Sequence, residues 1–242
     1  MTEKTTYQLE PAFLLHRRHY ANRGLLIECF TLNQGRFPAI ARGVMGGRSA
    51  GAGLLQPFVP LKLKWSGKGE VKTLTGYEQS GRAPALQGRA LYCGFYLNEL
   101  LMRLLERNDP HEELFSFYTE ALTLLASDRR EDQVLRRFEI QMFHALGYAL
   151  ILDRDVENDR PLSPQQRYDY LLETGPVPAT EGDPGMVSGH TLLALSCDQP
   201  LDKDGQREAR DLSRHLLAHY LGGKPLKSRE LFHRSPPENR GS

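Results

Sequence analysis

The clearest strand pattern in this chain is Leu61-Lys62-Leu63-Lys64-Trp65, which is followed by Ser66-Gly67-Lys68-Gly69. Apolar and basic residues alternate through the first stretch, and this period of two predicts a strand with one buried face and one solvent face. The glycines of the second stretch favour a tight hairpin into a further strand, Val71–Tyr77. The pattern therefore predicts a small β domain around this hairpin.

Three more strands are predicted upstream of the hairpin. They are Ala12–His16, Leu25–Thr31 and Arg36–Ala41, and a glycine-rich loop, Gly43–Gly53, follows the last of them. Five short, turn-rich strands with basic outward positions favour a small closed barrel of the OB type. The number of strands alone does not separate an OB barrel from an SH3-like barrel.

Positive charge is concentrated in the same part of the chain. From Ala12 to Tyr77 there are ten Lys or Arg residues against two acids, a net charge of +8, whereas all 242 residues together carry +1. The rest of the chain therefore sums to −7. A basic β module joined to an acidic body indicates a polyanionic partner at one end of the molecule.

Beyond residue 80 the periodicity becomes helical. Ala90–Arg107, a second stretch that ends near Ala126, and Glu131–Leu146 each have the apolar spacing of a buried helix face. Ser188 is placed to cap a short helix, and Gln206–Tyr220 forms another. The fold class predicted is α+β, with an OB barrel in residues 1–80 and an all-helical domain in residues 81–242.

Two parts of the predicted helical domain lack this periodicity. Asp153–Pro184 is acidic and contains proline, and it is predicted to be a long loop with one weak helical piece, Gln165–Leu172, or an irregular subdomain. The polar tail Ser235–Ser242 is expected to be mobile.

Composition excludes several classes of protein. The N-terminal residues have no apolar run that could serve as a secretory signal, and no stretch approaches the roughly 20 apolar residues that span a bilayer. The three cysteines are widely spaced and contain no CxxC pair, which argues against disulfides and a structural zinc site. We expect a cytoplasmic, nucleoid-associated protein with no membrane contact.

Three short motifs match catalytic, nucleotide-binding or metal-binding patterns only in part. Gly47-Arg48-Ser49-Ala50-Gly51 matches the serine-hydrolase elbow but lies in a glycine-rich loop without the strand and helix that the elbow needs. Leu221–Pro225 fails as a phosphate-binding loop because Pro225 stands where the metal-binding hydroxyl belongs. His215 and His219 share a helix face but have no third ligand. No metal, nucleotide or other cofactor is predicted.

Five basic residues are the best candidates for contacts to DNA phosphates, because loop and outward strand positions leave their side chains accessible: Arg42, Arg48, Lys62, Lys64 and Lys68. Aromatic residues that could stack on bases lie among the cations of this segment: Phe13, Phe30, Phe37, Phe58, Trp65 and Tyr77. Most of these aromatics are expected to belong to the core.

Leu135-Arg136-Arg137-Phe138-Glu139 places two cations beside the apolar stripe of the third helix. One interpretation is ordinary amphipathicity, in which arginine stems cover the edge of the core. The other is a pocket for an acidic peptide with an apolar end, in which a cation pairs with a carboxylate.

Five segments of the chain share similarity with one known family. They are Leu55-Gln56-Pro57-Phe58, Gly69–Leu74, Tyr96–Leu101, Arg136-Arg137-Phe138-Glu139 and, the strongest, Tyr220–Phe232. These segments resemble the RecO family of bacterial recombination mediators. The similarity continues in order from about Phe13 to Phe232.

The resemblance implies an N-terminal OB domain and a C-terminal helical domain. It implies binding to single- and double-stranded DNA, annealing of complementary strands, and cooperation with RecR and RecF in loading RecA. It also implies recognition of the acidic, Phe-ended tail of the single-stranded DNA-binding protein, which we assign to Arg136 with Phe143 and Tyr148 as neighbours. Many family members carry a four-cysteine zinc module that this chain lacks, so no zinc is expected.

The sequence thus leads to two hypotheses. The first is a non-enzymatic DNA-repair protein that anneals strands by neutralising phosphate charge, with no nucleotide or metal. The alternative is an interaction scaffold whose helical domain binds acidic peptide tails while the barrel only packs.

Overall fold

The computed structural model describes residues 9–45, 51–127, 130–180 and 182–234. The chain divides into two units: unit 1 contains Met1–Ala126 and Leu226–Ser242, and unit 2 contains Ser127–Pro225. These units do not coincide with the division at residue 80, which stays a prediction. The expected mobile tail, Ser235–Ser242, lies outside the described residues.

The elements are numbered in chain order. The strands are β1 (Glu10–Tyr20), β2 (Gly24–Thr31), β3 (Gly35–Ala41), β4 (Leu61–Ser66), β5 (Lys72–Gln79), β6 (Arg154–Asp155), β7 (Arg160–Pro161), β8 (Arg167–Leu171), β9 (Gly175–Pro178) and β10 (Val187–Ser188). The helices are α1 (Gly51–Leu54), α2 (Gly88–Leu104), α3 (Glu112–Leu125), α4 (Glu131–Ala145), α5 (Gly189–Ser196), α6 (Lys203–Tyr220) and α7 (Arg229–Arg234).

The first five strands close into a barrel in the order β1-β2-β3-β5-β4, with β4 pairing back onto β1. All pairs are antiparallel except β3 with β5, which is parallel. A five-stranded Greek-key barrel of this order is an OB-fold. The predicted α+β class and the OB barrel are confirmed.

The alternation of β4 is confirmed by its burial. Leu61, Leu63 and Trp65 face the barrel core and are at most 2% exposed, whereas Lys62 is exposed and Lys64 is half-buried. The same core contains inward residues from the other strands, including Leu14, Ile27, Cys29, Phe37 and Ala39. Trp65 packs on Phe37 with ring centroids 4.8 Å apart.

Strand β1 is longer than predicted and continues through the charged run to Tyr20. Its register shifts between Leu14 and His16, so strict alternation is interrupted. The first half of the strand is also buried on both faces, because Phe13 packs on Phe115 and Tyr118 of α3. The second half, from Arg17 to Tyr20, has no buried residue on either face, so it shows no alternation of apolar and polar residues and was not predicted as strand.

Two buried contacts hold the barrel and its helices together in unit 1. Asn98 of α2 donates from Nδ2 to Leu15 O at 2.9 Å, and its Oδ1 accepts from the Tyr118 hydroxyl at 2.6 Å. At the start of β3, a side chain at Gly35 would place its Cβ 1.9 Å from Asp109 O. Glycine is required there because the segment that links α2 to α3 crosses directly over the strand.

Unit 2 contains α4, α5 and α6 with two small sheets, one ordered β10-β8-β9 and the other β6-β7. The weak helical piece predicted at Gln165–Leu172 is therefore wrong, because Arg167–Leu171 is strand β8. The alternative of an irregular subdomain in residues 153–184 stays a prediction. Tyr168 and Tyr170 of β8 are both buried while Asp169 between them is half-buried, which is the alternation of a strand. The predicted cap is confirmed, because Ser188 Oγ accepts from Thr191 N at 3.2 Å at the start of α5.

Candidate nucleic-acid interface and peptide cleft

One row of outward-facing residues runs across all five barrel strands. The ladders pair Arg18 with Leu26, Leu26 with Ile40, Ile40 with Thr73, and Thr73 with Ser66. We call these five residues the outer row. With strands about 4.8 Å apart, the row extends over about 19 Å from β1 to β4. Leu26, Ile40 and Thr73 are half-buried, so the middle of the row is a shallow and mainly apolar surface.

Cations lie at both ends of the outer row. At the β4 end, Lys64 and Lys68 are two residues before and two residues after Ser66. At the β1 end, Arg18 itself is exposed, and Arg23 in the β1–β2 turn and Arg42 after β3 are exposed as well. Arg23 O accepts from Met45 N at 3.2 Å, which brings the turn and the segment after β3 together.

These five cations form no ion pair or side-chain hydrogen bond within the described part of the chain: Arg18, Arg23, Arg42, Lys64 and Lys68. Arg36 is different, although it belongs to the same basic segment. Its Nη1 donates to Glu28 Oε1, and its Nε and Nη2 donate to Leu105 O at 3.3 and 2.8 Å. Arg17 likewise donates from Nη1 to Leu55 O at 2.9 Å. Arg17 and Arg36 stabilise the fold, whereas the other five cations have side chains that are available to a ligand.

The predicted DNA-binding residues are placed differently from one another. Arg42, Lys64 and Lys68 lie at the ends of the outer row. Lys62 is exposed on the same face of β4 but stands opposite Glu78 in the ladder, so an acid is its neighbour. Arg48 lies outside the described residues. The structure therefore groups three of the five, and all five stay predictions as DNA contacts.

The aromatic residues named from the sequence belong to the core. Phe13, Phe30, Phe37, Phe58 and Trp65 are buried, and Tyr77 is partly buried against the barrel core. Tyr20, which the sequence reasoning missed, is 46% exposed at the last position of β1. The spacing of two residues between Arg18 and Tyr20 could have indicated that both face outwards on one strand. It was not used because β1 was predicted to end at His16.

Unit 2 contains a narrow cleft with a free volume of about 10 Å³, which is lined by Arg136, Glu139, Phe143 and apolar residues of α5, α6 and the segment after α4. A volume of this size holds about one water molecule. Arg136 is 13% exposed and donates from Nη2 to Glu139 Oε1 at 2.7 Å. Its Nε has no hydrogen-bond partner among the described residues. The Arg136 guanidinium is therefore paired with the buried carboxylate of Glu139 and keeps one N–H without a hydrogen-bond partner in the described part of the chain.

The predicted neighbours Phe143 and Tyr148 are also placed at this cleft or beside it. Phe143 is buried and lines the cleft, with its ring centroid 5.4 Å from that of Tyr220. Tyr148 lines a second, adjoining cleft that shares Leu150 and Leu216 with the first, and its ring lies 4.2 Å from Tyr220. Tyr148 is 45% exposed. Arg136 and Phe143 thus line the first cleft and Tyr148 lines the second, and Tyr220 packs against both aromatic rings.

Two family models match the chain over most of its length. The model "Recombination protein O N terminal" matches residues 6–81, and "Recombination protein O C terminal" matches residues 85–230. The chain belongs to the RecO family. It is therefore a member of a family of DNA repair and recombination proteins.

Individual relatives are similar over nearly their whole length. The DNA repair protein RecO of Nitrosospira multiformis is 45% identical over 233 residues, which cover 95% of this chain and 96% of the relative. The DNA repair protein RecO of Methylococcus capsulatus is 47% identical over 228 residues, covering 94% and 93%. That of Nitrosococcus oceani is 48% identical over 226 residues, covering 93% and 92%.

Two segments that carried the RecO resemblance meet in unit 1. Glu99 of α2 accepts from Lys227 N at 2.9 Å and from Ser228 N at 2.7 Å, just before α7. Burial alone raises the pKa of Glu99, but the hydrogen bonds from Ser228 and Lys227 outweigh it and lower the pKa below its ordinary value. The carboxylate thus fixes the start of α7 on α2.

Among the described residues, no group of three or more His, Cys, Asp or Glu is arranged to hold a metal ion. Cys29 and Cys93 are buried, and burial raises the pKa of the Cys29 thiol far above its ordinary value. In the described ranges, no helix is long and apolar enough to cross a membrane.

Proposed function

We propose that this RecO-family chain binds the phosphate backbones of single- and double-stranded DNA on the outer row and its flanking cations, and that it anneals complementary strands. The observation that carries the proposal is that some cations of the barrel are held in side-chain hydrogen bonds, whereas others have side chains available to a ligand. Arg17 and Arg36 are held by the fold, whereas Arg18, Arg23, Arg42, Lys64 and Lys68 are not.

The mechanism is charge neutralisation. Two single strands repel each other through their phosphates, and a surface with several cations lowers that repulsion when both strands lie on it. The pairing edges of the bases must stay available, so the cations contact the backbone and give little sequence preference. Neither a nucleotide nor a metal takes part, and the protein acts as a mediator rather than an enzyme.

Charge-neutral substitutions at the β4 end of the outer row test the DNA site. For Lys64→Gln with Lys68→Gln, we expect the slope of log affinity against log salt on a single strand to become shallower by about 1.4, because each lost phosphate contact removes about 0.7. Fluorescence anisotropy of a labelled oligonucleotide measures both quantities. Lys64→Arg with Lys68→Arg is the matched control and keeps the slope of the parent. An unchanged slope in the glutamine variant would place the DNA site elsewhere.

We further propose that the cleft at Arg136 receives the acidic, Phe-ended tail of the single-stranded DNA-binding protein. Arg136 offers a partly satisfied guanidinium, and Tyr148 offers exposed ring surface in the adjoining cleft of about 170 Å³, whereas Phe143 lines the first cleft but is buried. A charge-assisted hydrogen bond to a tail carboxylate is strong in such a site because little water competes. Tail capture would bring the protein to DNA that is coated by the single-stranded DNA-binding protein, where it would cooperate with RecR and RecF in loading RecA.

Arg136→Ala tests the peptide cleft, with Arg137→Ala as its neighbour on the same helix. Arg137 pairs with Asp198 at 3.3 Å and does not line the cleft. We expect Arg136→Ala to weaken binding of a synthetic Phe-ended acidic peptide at least tenfold, and Arg137→Ala to leave it within twofold. Isothermal titration calorimetry measures both.

The scaffold hypothesis predicts a different pair of results. A scaffold binds the peptide through Arg136 while the lysine substitutions leave DNA affinity unchanged. The adjoining clefts of unit 2 favour peptide binding in either case, so the DNA measurement decides between an annealing mediator and a scaffold.

A further inference from the structure

Tyr20 is the one exposed aromatic residue among residues 9–45 and 51–80. The other described aromatics of the barrel are all buried or partly buried in the core. A tyrosine ring that is half exposed loses apolar burial that a core position would provide, and an isolated exposed aromatic among cations is typical of surfaces that stack on bases.

The position of Tyr20 is fixed by the β1–β2 turn. Its ladder partner is Gly24, which has no side chain to pack against the ring. A Cβ at Gly24 would lie 2.7 Å from Tyr20 O, so the two backbones are too close for any other residue. Ala21, the next residue, has a φ of 52° in the left-handed region, which makes this turn tight. The ring therefore projects from a well-defined backbone with no cross-strand side chain over it.

The surroundings of Tyr20 are cationic. Arg18 lies on the same face of β1, about 7 Å away at two residues of strand rise. Arg23 and Arg42 are exposed in the two segments joined by the Met45 N to Arg23 O hydrogen bond. The acid of strands β2 and β3 is Glu28, and its Oε1 already accepts from Arg36. A DNA strand whose phosphates contact these arginines places its bases beside the ring of Tyr20.

We infer that Tyr20 stacks on an unpaired base and makes the barrel prefer single-stranded over double-stranded DNA. In a duplex both faces of each base are covered by its neighbours, so the ring has nothing to stack on. In a single strand a base face is available, and every base offers one, so the preference is independent of sequence. This inference rests on the proposed DNA-binding function and assigns to one residue the discrimination between the two forms of DNA.

The test uses three ligands with equal numbers of phosphates: a thymidine oligonucleotide, an abasic oligonucleotide, and a duplex. We expect Tyr20→Ala to weaken binding to the thymidine strand by roughly 5- to 150-fold, the range that loss of one stacked base produces. Binding to the abasic strand and to the duplex stays within twofold of the parent. Tyr20→Phe keeps the parent affinity on all three, since the ring and not the hydroxyl stacks.

A fluorescent variant gives a second measurement that does not depend on loss of affinity. The chain has a single tryptophan, Trp65, which is buried in the barrel core. In Tyr20→Trp, the added fluorescence is quenched when the thymidine strand binds and is unchanged when the abasic strand or the duplex binds. The parent protein provides the Trp65 baseline.

Each outcome of this test has one meaning. Equal losses on all three ligands in Tyr20→Ala, or no loss on the thymidine strand, would overturn the inference while leaving DNA binding intact. If the parent itself bound none of the ligands, the proposed function would fail and not the assignment of Tyr20. If the parent bound thymidine and abasic strands equally, DNA binding would stand and stacking would be excluded.

Discussion

Arg36 and Arg42 both contribute to the charge of the basic segment, but their surroundings give them different roles. Arg36 is 13% exposed and makes hydrogen bonds to Glu28 and to Leu105 O. Arg42 is exposed one residue after β3 and has no such partner in the described part of the chain. The charges in a sequence predict the sign of a surface. The hydrogen-bond partners of each cation can be identified only from the folded structure.

This contrast predicts that the same substitution changes the free energy of unfolding strongly at Arg36 and very little at Arg42. Arg36→Met lowers the free energy of unfolding by about 3 kcal/mol, because it leaves Glu28 and Leu105 O without a buried donor. Arg42→Met changes the free energy of unfolding by less than about 0.5 kcal/mol, as expected of an exposed side chain. Urea unfolding followed by Trp65 fluorescence measures both variants.

The same pair of variants separates stability from DNA binding. Under conditions in which both variants are folded, Arg42→Met weakens oligonucleotide binding and Arg36→Met does not. Equal stability losses for the two arginines, or a DNA defect confined to Arg36→Met, would contradict these assignments.

At the scale of elements, the short strands within residues 153–184 were not predicted from the sequence. Its strands are two to five residues long, and prolines and glycines interrupt them. Such short strands give no window in which a period of two can be recognised, although Tyr168 and Tyr170 do alternate with polar residues. The longer elements, α2, α4, α6 and β2–β4, were predicted nearly at their observed bounds because their periodicity extends over many residues.

Glu208 of α6 stabilises the sheet β10-β8-β9 by bonding to its strands and to the start of α5. Its carboxylate accepts from Ser188 N at 3.0 Å, Ser188 Oγ at 2.7 Å and Thr191 Oγ1 at 2.6 Å, and it pairs with Arg167. Burial alone raises the pKa of Glu208, but the hydrogen bonds from Thr191, Ser188 and Arg167 outweigh it and lower the pKa to about 2. The ionised form is therefore favoured by folding.

The lowered pKa of Glu208 predicts how stability depends on pH. Its contribution is fully present above the ordinary value of 4.5 and is lost as the pH falls towards 2. Glu208→Gln therefore lowers the free energy of unfolding by about 2 kcal/mol at pH 7, and this difference falls by about half between pH 6 and pH 3. Urea titrations followed by far-ultraviolet circular dichroism report on both units. A difference that is constant or larger at pH 3 would show that the carboxylate charge is not the cause.

Glu99 gives a second test at this scale. Glu99→Ala removes the acceptor of Lys227 N and Ser228 N, so these amides and α7 exchange hydrogen faster by at least tenfold. Hydrogen exchange with mass spectrometry measures the peptides that cover residues 226–234. Glu99→Gln keeps one acceptor oxygen and has a smaller effect. Unchanged exchange in Glu99→Ala would mean that other contacts hold α7.

At the scale of the whole molecule, the division of charge was visible in the sequence, and the arrangement of the site was not. The alternation of β4 placed Lys62 and Lys64 on the outer face correctly. The outer row depends on the register of four strand pairs, and no local pattern specifies which residues of distant strands face each other. The sequence therefore did not predict that Arg18, Arg23 and Tyr20 lie at the same end of the outer row as Arg42.

The central claim is that cations on the outside of the barrel bring two DNA strands together without a nucleotide or a metal. Its most direct test is the rate at which complementary oligonucleotides anneal in the presence of a chelator and the absence of ATP, measured with a fluorescent donor and quencher. We expect the parent and the Lys64→Arg with Lys68→Arg variant to accelerate annealing equally, and the Lys64→Glu with Lys68→Glu variant to lose most of the acceleration. Annealing by the glutamate variant at the parent rate, or a parent that needs ATP or a metal, would contradict the claim.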